Sequence, residues 1–230
     1  MRHIARHIAM IKLKKTAKPQ ILVDYAQDWT NDYLDCLKKG NTPSDTIKNR
    51  YKHPEIKKAL KAETHEKCAY CESKITHIDY GDVEHILPKN KNARPDLYVD
   101  WDNLTFTCTR CNRDGKKDYF NPKAPLINPY VDDPDNYFKF VSNFIHPKNT
   151  GNPNIAQITI DTIKLNRLEL AERRKEVIEE VRNLLLAWNT AADSIVKATL
   201  HHTLQEYCNP DKEYSAFVRH FLLDNGFVFV

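Results

Sequence analysis

Two Cys-x-x-Cys pairs, Cys68-Ala69-Tyr70-Cys71 and Cys108-Thr109-Arg110-Cys111, constrain this chain more than any other feature. Each pair sets two thiolates on one tight knuckle, and two knuckles supply four sulfurs for a tetrahedral site. The 36 residues between Cys71 and Cys108 then form a closed insert, long enough for a two-stranded substructure. Zinc is the expected ion. Its role would be structural, because all four positions are filled and none is left for water or substrate. Four free cysteines are the alternative. No secretory signal is recognised at Met1-Arg2-His3-Ile4, and no apolar run approaches the ~20 residues of a membrane span. The expected compartment is a reducing cytoplasm, where paired Cys-x-x-Cys binds metal rather than forming disulfides.

Around that insert the chain reads as helical. It has five glycines in 230 residues, so the fold leans on helices rather than on glycine-rich turns. Apolar spacing predicts helices over Tyr25–Lys39, Ser44–Tyr51 and Glu55–Lys67, the last with Pro54 as its first residue. Strands are expected at Ile75–Ile78, Val83–Leu87 and Leu104–Thr107, and a short helix at Cys111–Asp118. Lys89–Asp100 is a polar, turn-rich loop of the kind that often carries function. A proline-punctuated stretch follows, with a hairpin from Tyr137–Val141 and Phe144-Ile145. Helices then run from Asn154, from Asn166 as N-cap, over Ala191–Tyr207 and over Lys212–Asn225. The expected fold class is α+β, mostly helical. Residues 1–67 are expected to form an arm and helices, 68–118 the stapled core and 119–230 a proline-punctuated segment and helices, all packed as one unit.

Charge points toward an anionic polymer. Residues 1–67 hold 15 Lys/Arg against 8 Asp/Glu, while the remainder holds 20 against 23. A basic third of this kind could steer a phosphate backbone, or be a solvated lysine-rich helix surface. Cys36 and Cys208 read as small buried residues. His201-His202 reads as helix surface, and His3 and His7 lack a third ligand.

The insert carries the chemistry. Val83-Glu84-His85-Ile86-Leu87-Pro88 joins a hard oxygen donor, suited to magnesium or manganese, to a side chain whose ordinary pKa suits a general base. Neighbours on a strand point to opposite faces, so the two can serve one site only where the strand ends or twists, as Pro88 suggests. Cys-x-x-Cys, Glu-His-Ile-x-Pro, Asp102-Asn103-Leu104, Cys-x-x-Cys-Asn112 and a following lysine together resemble the HNH endonuclease motif, the ββα-metal fold. The resemblance implies His85 as general base, Glu84 and Asn112 as ligands of a catalytic Mg2+ or Mn2+, and Asn103 as the residue orienting the loop and the base. It also implies phosphate contacts by Lys116, Arg110 and Arg113. The first ligand is Glu where many members carry Asp or His, and the Asn112–Lys116 spacing is slightly longer than the commonest one.

The likeness extends outside the core. Met1-Arg2-x-Ile4, Ile127-Asn128-Pro129-Tyr130-x-Asp132-x-Pro134 and Thr162-Ile163-x-Leu165-Asn166-Arg167-x-Glu169-Leu170-x-Glu172-Arg173-Arg174 resemble the HNH (PtuB-like) subunit of Septu-type anti-phage systems, which also appears with retrons. That resemblance implies nucleic acid as substrate and an ABC/SMC-like ATPase (PtuA-like) as partner. DNA is the expected polymer. RNA cleaved by the same site, or a zinc-stapled module that binds without cleaving, are the alternatives.

Overall fold

The computed structural model describes residues 10–75 and 79–229. His3, His7 and most of the strand expected at 75–78 lie outside them. Residues 10–19 run as an irregular strap. Leu13 N–H donates to the Pro129 carbonyl, and the Thr16 carbonyl accepts from Trp101 Nε1 at 3.0 Å.

Three helices follow: α1 (Gln20–Lys38), α2 (Asp45–Asn49) and α3 (Pro54–Glu63). Helix α1 starts five residues earlier than the spacing of its aromatic residues suggests, directly after Pro19, and gains Leu22 on its buried face. Ser44 caps α2, its Oγ accepting from Ile47 N–H. Helix α3 stops at Glu63 rather than Lys67, because His65 and Glu66 take φ of 54° and 60°, which no α-helix continues. The chain then turns into the first knuckle, with Cys68 N–H donating to the Ser73 carbonyl.

Strand β1 (Asp82–His85) pairs antiparallel with β2 (Leu104–Thr107), setting Glu84 opposite Thr105 and His85 opposite Leu104. Gly81 starts β1 at φ +65°, and a Cβ there would lie 2.2 Å from the Phe106 ring, so both backbone and packing require glycine. A π-helical turn (Arg110–Lys116) follows the second knuckle where a short α-helix was expected. The second hairpin is β3 (Phe138–Val141) with β4 (Phe144–Pro147).

The remainder is helical: α4 (Pro153–Ile163), α5 (Leu168–Thr190), α6 (Ser194–Glu206) and α7 (Ser215–Asp224). Asn152 caps α4 and Asp193 caps α6. Asn166 does not cap α5 as its place in the sequence suggests. Its amide instead pairs with both backbone groups of Ile145 in β4, and Arg167 takes the N-cap position. Cys208 is buried as expected, whereas Cys36 is only half-buried.

One hydrophobic core runs through all three sequence segments, from Leu22 and Ile56 through Phe106 to Ile160, Val181 and Phe217. The N-terminal helices pack on the β2 side and on the 95–97 turn, while α4 packs on the π-helical turn. The stapled hairpin therefore sits between two helical layers. Among the described residues no helix is long and apolar enough to cross a membrane.

Candidate active site

Asp82, Glu84, His85, Lys89, Asn112, Arg113 and Lys116 line one cavity of about 430 Å³, with Tyr51 and Lys52 forming its far wall. Asp82 and Glu84 are two apart on β1 and so share a face. His85 joins them because β1 ends there and the chain bends through Ile86 and Leu87.

His85 is nearly fully buried, and its Nε2 lies 2.7 Å from the Tyr98 carbonyl. A carbonyl can only accept, so Nε2 carries the hydrogen and Nδ1 is left with its lone pair. Burial holds the ring well below the usual histidine pKa, and the positive charge of Lys89 pushes the same way. The imidazole is therefore neutral, the form in which it can take a proton. The Tyr51 ring meets it edge-on at 4.5 Å between centroids, and Tyr98 stacks on Tyr33 at 4.2 Å. Tyr98 OH donates to the Ile47 carbonyl and accepts from Arg50 N–H. The loop that holds His85 is thus pinned to the N-terminal helices.

Asn103 binds that loop from the other side. Its Oδ1 accepts from Leu87 N–H at 2.8 Å, while Nδ2 donates to the carbonyls of Leu87 and Leu97. Leu97 precedes the residue whose carbonyl fixes His85, so one amide ties together both ends of loop 87–98. Trp101, two residues before Asn103, is buried, with Lys15 Nζ 4.3 Å from its ring.

Glu84 is buried and pairs with Lys116 Nζ at 2.7 Å, and Lys116 also donates to the His85 carbonyl. Burial raises the Glu84 carboxyl above the usual range, against the pull of Lys116. Lys116, expected at the phosphate, is placed in the cavity wall but paired inward. The lysine is 2% exposed, because the π-helical turn aims it inward as the partner of Glu84. Arg110 is exposed, pairs with Asp114 and reaches Glu169 of α5; it does not line the cavity. Arg113 does line it, forked onto Asp82 at 2.6 and 3.0 Å.

Asp82 and Tyr51 carried no signal in the sequence, and Lys89 only a weak one. Asp82 Oδ2 accepts from Asn112 Nδ2 at 3.3 Å, which turns the amide so that Asn112 Oδ1 is its spare donor atom. Carboxylate, amide oxygen and a second carboxylate form an all-oxygen set that fits a hard divalent cation. Lys89 is a cation of this cavity, with Lys52 and Lys117. It forms no ion pair among the described residues, lies over the Tyr51 ring at 4.3 Å, and burial lowers its pKa to about 8. Only its place six residues after Val83 on a polar loop hinted at a role.

The sulfurs of Cys68, Cys71, Cys108 and Cys111 all lie within 4.8 Å of one another, with Cys71 and Cys108 at 3.9 Å. Zinc–sulfur bonds of about 2.3 Å in a tetrahedron require separations near ~3.8 Å, so the four fit one ion. Arg167 approaches from the C-terminal layer, 3.6 Å from Cys111 Sγ and 3.8 Å from Cys71 Sγ. Burial disfavours its charge, yet the sulfurs outweigh this and raise its pKa.

Residues 68–118 match the family model for HNH endonucleases. The chain is 31% identical to a Septu protein PtuB of Bacillus thuringiensis, over 94% of this chain and 83% of the relative. A Septu protein PtuB of Bacillus mycoides (strain KBAB4) is also 31% identical, over 75% of this chain and 68% of its own length. A retron Vc95 protein of Vibrio cholerae serotype O1 biovar El Tor, whose name includes the words HNH endonuclease, is 33% identical over 57% of this chain and 69% of its own.

Proposed function

Since this chain belongs to the Septu PtuB family and is an HNH endonuclease, we propose that it hydrolyses DNA phosphodiester bonds with His85 as general base. The observation that carries this is the commitment of His85 Nε2 to the Tyr98 carbonyl inside a cavity that also holds Glu84 and Asn112. His85 Nδ1 accepts the proton of the attacking water. Asn103 and Tyr51 hold the ring in that orientation. Glu84 and Asn112 Oδ1 hold a magnesium or manganese ion, which when bound supplies positive charge for the leaving oxygen. Asp82 keeps the Asn112 amide turned for that task. Lys89, with Arg113 in the same cavity, takes the phosphate role, while Lys116 stays paired with Glu84. The four thiolates hold a structural zinc.

In this reading the protein is the nuclease of a Septu-type defence system in a reducing cytoplasm, and an ATPase subunit is its partner. RNA presents the same phosphodiester to the same groups, so the test has both arms. Supercoiled plasmid and a structured RNA are incubated with wild type and with His85→Ala, with magnesium or manganese and then EDTA. Metal-dependent cleavage lost in His85→Ala is the expected result. Equal cleavage by the two proteins sinks the assignment of the base. Copurification with an ATPase tests the partner.

A further inference from the structure

A second surface cavity, about 530 Å³, lies along α3 and is lined by Lys52, Lys57, Lys58 and Lys61, with Glu66 at its end. Lys52 lines both this cavity and the catalytic one, so the two lie side by side. Lys57 and Lys61 lie one helical turn apart, about 6 Å along the axis. Like charges at that spacing destabilise a helix. None of the four lysines forms an ion pair among the described residues. Lys57 shows the crowding directly: burial lowers its pKa, Lys61 and Lys52 lower it further, and Asp82 and Asp79 oppose them.

A solvated lysine face would hold its ammonium groups out in water. Here Lys57 and Lys61 are half-buried, Lys61 Nζ sits 5.6 Å from the Phe106 ring of β2, and Lys57 is close enough to the catalytic strand to sense Asp82. A row of lysines without ion pairs, two of them half-buried against the hairpin and one shared with the catalytic cavity, suits a linear polyanion better than bulk solvent.

We propose that Lys52, Lys57, Lys58 and Lys61 form the track on which the substrate's sugar–phosphate backbone lies as it enters the catalytic cavity. This rests on the nuclease reading and extends it outside the HNH domain, onto a helix that the family model does not cover. The ridge reads phosphate, which DNA and RNA share.

The test measures binding by fluorescence anisotropy of a labelled DNA duplex and a labelled RNA hairpin across a salt series. Full-length His85→Ala, which removes the proposed base, is compared with His85→Ala carrying Lys57→Gln and Lys61→Gln, which keep helix propensity. The double change is expected to weaken binding by about tenfold near physiological salt and to flatten the log–log salt slope by about 2, one released counterion per lysine. Loss on one polymer alone identifies that polymer as the one on the track. Affinity within twofold on both, with an unchanged slope, overturns the proposal. The nuclease reading is judged separately, by whether wild type cleaves with metal. Circular dichroism at 222 nm shows that α3 is retained in the compared proteins. If the helix is lost, Lys52→Gln with Lys58→Gln, outside the Lys57/Lys61 pair, carries the same expectation and the same overturning result.

Discussion

The hairpin β1–β2 has two ends, and the helical layers treat them oppositely. At the cysteine end the C-terminal layer neutralises nearly every polar group it covers. Arg167 meets the sulfurs, Tyr214 OH meets Ser73, and Lys67 is enclosed by Glu72, Ser215 and the Lys212 carbonyl. At the catalytic end the N-terminal layer orients groups but leaves charge uncompensated. Tyr51 and Tyr98 fix His85, yet Lys89 and the α3 lysines form no ion pair among the described residues. The difference is between a site closed for stability and a site left unsatisfied so that a substrate can satisfy it. Changes at the first should appear in melting, and changes at the second in binding and rate.

The largest effect is expected from opening the cysteine end. Structural zinc contributes on the order of 10–16 kcal/mol in small stapled modules, more than most domains hold in reserve. Cys71→Ser should therefore abolish the cooperative melt and the cleavage together. A variant that lacks zinc yet melts within about 2 °C of wild type breaks the comparison, because the staple would then add nothing measurable. At the other end, His85→Ala should lower the cleavage rate by roughly 10²–10⁴-fold while zinc content stays at one per chain, read by elemental analysis. Loss of zinc from that variant would mean that the two ends are not independent.

Lys116 lies between these regimes, a fully buried ion pair inside the reactive cavity. Lys116→Met leaves the Glu84 carboxylate without its partner and should cost about 3–5 kcal/mol of stability. The magnitude assumes an ionised carboxylate, and burial works against that ionisation. Manganese should recover part of the loss in thermal melts, because a bound cation takes up the same charge. A melt that falls without any response to manganese would place Lys116 with the structural end instead.

These two ends were unequally legible in the sequence. Cysteine spacing and the Glu84-His85, Asn103 and Asn112 order are local patterns, and the structure brings all of them to one hairpin and its flanking turn. Asp82 was hidden because its meaning depends on Asn112 and Arg113, about thirty residues away, and Tyr51 because it approaches His85 from the 3-10 turn Arg50–Lys52 between α2 and α3. The inward pairing of Lys116 with Glu84 was not legible for a physical reason. Spacing says which residues lie near a site, but not whether a π-helical turn aims a long side chain outward to solvent or inward to a carboxylate. Asn166 failed likewise, since a capping residue and a side chain that pairs with a strand edge look alike until β4 is present to compete.

The smallest expected effect tests how far the closure of the cysteine end extends. Arg167 comes from outside the insert, at the head of α5, and reaches two of the four sulfurs. A tetrathiolate zinc carries excess negative charge, and hydrogen bonds to charged groups are worth about 1.5–3 kcal/mol. Arg167 is only partly buried, so solvent screening places the expected loss toward the lower part of that range. Arg167→Met keeps the length of the stem and removes the charge. It should lower the melting temperature by a few degrees and speed the release of zinc to a chromogenic chelator by about tenfold, the scale of outer-shell changes at metal sites. Cleavage at saturating metal should stay near the wild-type rate, because nothing in the catalytic cavity touches this residue. Unchanged zinc release would restrict the staple to its four cysteines and leave α5 as ordinary packing. A large fall in cleavage with zinc retained would instead connect the C-terminal layer to the chemistry, and the contrast between the two ends of the hairpin would not survive it.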